Sequence, residues 1–223
     1  MKLKYFAIAV ALVASVFTAN AQNTTEKGKN IWIGLNGGVL STTTDQMNKP
    51  QFYVSLEGGK WFTPVWAARL GVGGFSQYYD QKEGRTWETL EKETWTKKQN
   101  FVEFNLDGIF NISGLISKNP VPLCDFYLFA GPTMNVSSKG TAFTGDQTQS
   151  GVLLVKKVDG TVARFGFTGG AGLSFNVGKS LALGLEWRTA VTPSIFGDAS
   201  VCRKAENTNR FSLHIDYTFG GRH

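Results

Sequence analysis

Residues 181–191, LALGLEWRTAV, interleave two sequences. Leu181, Leu183, Leu185 and Trp187 take one set of alternate positions; Ala182, Gly184, Glu186 and Arg188 take the other. Successive side chains of a β-strand point to opposite faces. As a strand, this segment has one large apolar face and one small, charged face. A chain built from such strands either closes the apolar face inward around a core or turns it outward against an apolar medium.

The same alternation recurs. Eight segments carry it: 31–40, 52–62, 66–78, 101–112, 125–136, 163–177, 181–191 and 210–219. Each is about as long as a tilted membrane-crossing strand, roughly 9–11 residues. The fifth is the weakest, apolar on both faces and interrupted by Pro132. No helical i, i+3, i+4 pattern stands out after the first 22 residues. TPV joins segments two and three, and GKS joins six and seven. Long polar stretches join the others, except for the medium-length SGLISKNPVPLC. Short turns at one end and long loops at the other describe an all-β, antiparallel, up-and-down barrel of eight strands. Asp159-Gly160 is a hairpin turn signal. It predicts that the fifth or sixth strand extends as a hairpin, with ten strands as the alternative.

The choice of face follows from what each face carries. One side holds Ile33, Leu35, Val54, Leu56, Leu70, Val72, Val102, Phe104, Leu106, Phe110, Phe165, Leu173, Phe175, Leu181, Leu183, Leu185, Phe211, Leu213, Ile215, Tyr217 and Phe219. The interior of an eight-stranded barrel is only just wide enough for side chains to fill it, so these residues overfill it. The other side holds Glu57, Arg69, Glu103, Asp107, Arg164, Glu186, Arg188, His214 and Asp216 among Asn, Ser and Gly. Turned inside out, both fit: the aliphatic face meets lipid and the charges pair in the lumen. The expected network joins Glu57, Glu103, Asp107, Glu186 and Asp216 to Arg69, Arg164 and Arg188, because charges away from water require partners. Trp61, Phe62, Trp66, Tyr78, Tyr79, Tyr217 and Phe219 lie near segment ends, where aromatic girdles of membrane barrels sit.

Residues 1–21 read as a secretory signal peptide: Lys2 and Lys4, an apolar run from Tyr5 to Phe17, and ANA at 19–21. Residues 22–223 then form the barrel domain. The net charge of +6 includes the two signal-peptide lysines, and no Lys/Arg cluster suggests nucleic acid. Cys124 falls at the short-turn end and Cys202 in the last long loop. An apolar band of about 25 Å separates the ends, and a disulfide needs Cα atoms within about 7 Å. No intramolecular disulfide is expected.

Chemistry is sparse. Ser212, His214 and Asp216 share one face of the last strand, but i, i+2 neighbours stand roughly 6.5 Å apart. A nucleophile, its base and an orienting group need hydrogen-bond contact. The row is expected to join the lumen polar network, and no catalytic residue is assigned. With only two His, one of them terminal His223, no metal site or cofactor is expected. GVGG and GGAG lie within strands rather than between strand and helix, so they are not phosphate loops. The stretch 79–99 mixes both charge signs and carries Trp87 and Trp95. It reads either as strands extended above the membrane or as a binding surface.

The signal peptide ending ANAQ, the eight segments and the final RFSLHIDYTF resemble the OmpA/OmpX-like outer-membrane β-barrel superfamily. YLFAGPTMNV resembles a motif of outer-membrane barrel domains of the Bacteroides type. The resemblance implies export to the bacterial outer membrane and contact with its lipid. It also implies insertion by the outer-membrane assembly machinery, which reads a C-terminal strand ending in an aromatic, here Phe219. Short turns and termini would face the periplasm and long loops the exterior. The expected role is structural or interactive, through the loops, and not enzymatic. The alternatives are a narrow channel or a secreted, soluble ligand-binding barrel.

Overall fold

The computed structural model describes residues 30–42, 51–85, 92–117, 122–149, 152–178, 180–193 and 205–219. Eight strands follow one another: β1 (Ile31–Thr42), β2 (Gln51–Trp61), β3 (Trp66–Arg85), β4 (Lys92–Asn111), β5 (Cys124–Gln149), β6 (Val152–Asn176), β7 (Leu181–Pro193) and β8 (Ala205–Thr218). Each pairs antiparallel with its sequence neighbours, and β1 pairs with β8 to close the barrel. Closure removes sheet edges and lets every backbone group pair within the wall, which a β-protein in lipid requires. Among the described residues no helix is long and apolar enough to cross a membrane.

The start of β1 and the end of β8 lie at the short-turn end of the barrel, where Trp32 pairs with Thr218. The β2–β3 turn there is held by Thr63, whose Oγ1 accepts the backbone N–H groups of Val65 (3.2 Å) and Trp66 (2.9 Å). The medium-length β4–β5 connection forms one short helix, α1 (Ile112–Ile116), of helical turns too few to show in a periodicity.

The ladders run unequal distances. β2–β3 pairing begins at Tyr53↔Phe75, β4–β5 pairing ends at Val102↔Val136, and β6–β7 pairing ends at Phe167↔Val191. β3 with β4, and β5 with β6, continue beyond those levels as two-stranded ribbons. At about 3.3 Å per residue, β5 runs on for roughly 40 Å past Val136.

The β5–β6 ribbon corrects the reading of Asp159-Gly160 as a turn. Asp159 pairs with Thr141 and Gly160 with Gly140 inside one continuous strand, and the reversal lies between Gln149 and Val152. The local turn preference loses to a ladder that pairs both strands end to end. Pro132 stays within β5, pointing outward. It has no N–H, and the β4–β5 pairing is interrupted beside it, between Asn105↔Thr133 and Gly108↔Ala130.

The two faces sort into an aliphatic outer one and a charged inner one. Ile33, Leu35, Val54, Leu56, Leu185, Phe211, Leu213 and Ile215 are exposed, while Glu57, Arg69, Glu103, Asp107, Arg164, Glu186 and Arg188 are buried. The barrel is inverted relative to a water-soluble protein. Trp61 departs from the expected girdle. It faces the lumen, packed against a cluster of Trp32, Ala67, Ile109, Tyr127 and Phe129, whereas Phe62 and Trp66 are exposed.

Candidate functional site

The site is the lumen, and alternation places its groups. Glu57 stands on β2, Arg69 on β3, Asp107 on β4, Glu186 and Arg188 on β7. They meet in one cluster. Arg69 reaches Glu57 at 3.0 Å, Asp107 at 2.9 Å and Glu186 at 2.5 Å. Arg188 reaches Asp107 at 2.8 Å, Glu186 at 3.2 Å and Glu57 at 3.9 Å. Both guanidinium groups also lie over the ring of Phe129, at 4.6 Å and 4.5 Å, a cation–π arrangement. Each arginine thus contacts the same three carboxylates.

Two further pairs lie on the long-loop side of this cluster. Glu103 of β4 and Arg210 of β8 form a two-toothed pair, with Nη1 donating to Oε1 and Nη2 to Oε2. Arg210 is flanked by the rings of Tyr53 and Phe75. Arg164 of β6 meets Glu206 of β8 at 2.6 Å, and its Nη2 donates to Gln77 of β3 at 3.1 Å. Arg210 and Glu206 are absent from the network expected from sequence, as are the inward-facing aromatics Tyr53, Phe75, Phe101, Tyr127 and Phe129.

Position within the closed order gives these contacts their meaning. In an eight-stranded barrel the strand four places along lies on the opposite wall. Arg69–Glu186 joins β3 to β7, and Glu103–Arg210 joins β4 to β8. Both therefore cross the full width of the lumen. Small residues make room for the filling: a Cβ on Gly172 would lie 2.1 Å from the ring of Tyr127, whose hydroxyl donates to Glu186 at 3.2 Å.

Asp216 does not join the arginines as expected. Its Oδ2 lies 3.5 Å from His214 Nε2, at the short-turn end. Ser212 Oγ donates instead to the backbone carbonyl of Glu186, at 3.5 Å, and neither ring nitrogen of His214 makes a hydrogen bond. No nucleophile–base contact forms along this row. Among the described residues no three His, Cys, Asp or Glu come together as metal ligands. Phe219 is exposed beside Tyr217, and its N–H bonds the carbonyl of Ile31 at 2.8 Å. The backbone of Trp95 pairs with Gln81 in the β3–β4 ribbon. Trp87, Cys202, and residues 1–21 lie outside the described residues.

Residues 9–219 match the family described as outer membrane protein beta-barrel domain. No curated protein matches the chain. Among solved structures, the barrel is similar to Neisserial surface protein A at TM-score 0.53 and 12% identity, over 85% of this chain and 97% of that one. Ail of Yersinia pestis, solved with the heparin analogue sucrose octasulfate, gives TM-score 0.46 and 12% identity, over 86% of this chain and 97% of that one. The N-terminal β-barrel domain of Pseudomonas aeruginosa OprF gives 0.43 and 12%, over 86% and 99%. At these identities the likeness is one of fold.

Proposed function

The chain belongs to the outer membrane protein β-barrel family, and from that premise we propose a structural and interactive role in the bacterial outer membrane, with a lumen closed to ions and no enzymatic activity. The signal peptide at residues 1–21 is cleaved on export, the short turns face the periplasm, and the ribbons face outward. The assembly machinery inserts the barrel by reading the strand that ends at Phe219.

One observation carries the closed lumen: the ion pairs Arg69–Glu186 and Glu103–Arg210 cross between opposite walls. A permeating ion would have to displace these ion pairs at two levels, leaving buried charges without partners. The aromatic rings that flank the arginines fill the space beside them. Interaction with other molecules then falls to the β3–β4 and β5–β6 ribbons, which extend past the lipid-facing band. The stretch 79–99, whose sequence carries Trp87 and Trp95, is our candidate for that surface.

The test is conductance in planar bilayers. The purified protein should insert without opening channels. The Arg69→Ala/Glu186→Ala/Arg210→Ala/Glu103→Ala variant, if it assembles, should pass current. Regular single-channel steps from the unaltered protein would instead make it a narrow pore.

A further inference from the structure

Between the central ion cluster and the short-turn mouth lies a cavity of about 40 Å³. Trp32, Arg69 and Asp216 bring polar atoms to its wall, and the short side chains of Ser174, Ala182 and Thr218 leave it room. We propose that this cavity is a water-binding vestibule, in which a cluster of about three waters accepts the Trp32 indole N–H, donates to the Asp216 carboxylate and extends inward to Arg69.

Two donors on the wall call for an acceptor. Trp32 is 4% exposed, and its indole N–H has no hydrogen-bond partner. The ring is held where it is: it lies against Gly59, where a Cβ would stand 2.5 Å from the ring and 2.7 Å from Nε1. It also packs in the buried cluster with Ala67, Ile109, Tyr127 and Phe129. Arg69 is the second donor. Its buried Nη2 stands 2.9 Å from Asp107 Oδ2 but makes no aligned hydrogen bond. Buried polar atoms in this state are rare in finished structures, and ordered water is a common partner for them.

Charge and size select water. A cation cannot accept an N–H. An anion would be repelled by Asp216, which lines the same cavity. A small neutral group that both accepts and donates meets both demands. The side chain of Asp216 is 20% accessible, against 5% or less for the lumen carboxylates paired to arginines, so solvent reaches it from the mouth. One water needs about 10–15 Å³ of such volume and two to four polar partners. The cavity has room for a few waters, not for a sugar or a nucleotide. The Ser174 and Thr218 hydroxyls supply further partners along the wall.

The vestibule makes the lumen asymmetric. It ends at Arg69, which Glu57, Asp107 and Glu186 hold. The Glu103–Arg210 pair crosses the lumen farther toward the long loops. The central ion cluster is therefore solvated from its short-turn side, and Arg69 faces water at one edge and carboxylates at the others. The cavity lies on the mouth side of the crossing ion pairs, so its hydration is read separately from conductance.

The experiment measures the nuclear Overhauser effect between water and the Trp32 indole N–H in the ¹⁵N-labelled, detergent-folded protein. The unaltered protein should give a water cross-peak at that N–H. Ala182 pairs with Asp216 across β7 and β8, so Ala182→Leu fills the cavity beside the carboxylate, and the cross-peak should be lost. The Ser174, Thr218 and Tyr127 hydroxyls remain in that variant, so a signal carried by them would persist. Thr218→Leu fills the cavity from the residue paired with Trp32 and takes the place of Ala182→Leu if the latter does not fold. The absence of a cross-peak in the unaltered protein, or its survival after filling, would overturn the proposal.

Discussion

Arg69 and Glu186 stand on opposite walls of the barrel, on β3 and β7, and their charged groups meet at 2.5 Å across the lumen. A contact of this span ties together strands that share no backbone ladder. The ladders join only neighbours; the lumen joins the far sides.

The first consequence concerns removal of one partner. Arg188→Leu leaves Asp107 and Glu186 short of a cation they touch at 2.8 Å and 3.2 Å. Breaking a buried pair from one side costs about 3–5 kcal/mol. Urea unfolding in detergent should show a clearly lower midpoint. An unchanged midpoint would mean that the cluster contributes no stability.

The second concerns coupling. Glu103 and Arg210 are each other's charged partners, two-toothed and buried. Glu103→Gln and Arg210→Gln should each destabilise the barrel, and the double variant should lose less than the sum of the two by about 1–3 kcal/mol. Strict additivity in a double-mutant cycle would contradict the pairing.

The third tests the outer face. Leu185 sits mid-strand on the exposed side of β7. Leu185→Arg should cost about 2–4 kcal/mol in a bilayer, the range for a cation at the midplane of the lipid face. Leu185→Ala should cost far less, because lipid rather than a packed core faces it. Refolding into lipid vesicles measures both, and an arginine tolerated as well as alanine would be incompatible with a lipid contact.

How much of this was legible in the sequence depends on which face carries the pattern. Lipid imposes large apolar residues at every second position, so most of the strands and their outward residues can be read from alternation. Where the lipid band stops, the signal stops too. The last segment was bounded at Arg210, where the apolar stripe begins, while β8 starts at Ala205 and brings in Glu206. Arg210 stands at the first position of that segment, where no stripe marks it as the partner of Glu103. Inward aromatics were hidden for a related reason. In β5, Tyr127 and Phe129 face the lumen while Phe126 and Leu128 face outward, so both faces are large and periodicity cannot separate them. Asp216 shared a face with the network, but its position near the mouth puts it beside His214 instead. Register across the barrel, which no single strand records, decides that.

The fourth prediction concerns Gly172. Its Cβ position is occupied by the ring of Tyr127, so Gly172→Ala should impair folding, and Tyr127→Ala in the same chain should restore much of it. The fraction of heat-modifiable, folded protein on a gel reads both. Failure of the second change to rescue the first would show that the clash lies elsewhere.

The central claim is that the aliphatic face meets lipid and the charged face is enclosed. The most direct measurement is fractionation of expressing cells, followed by gel mobility with and without boiling. The account predicts a protein in the outer-membrane fraction, resistant to alkaline extraction, that changes mobility on boiling as the barrel opens. A soluble periplasmic or secreted protein would contradict it.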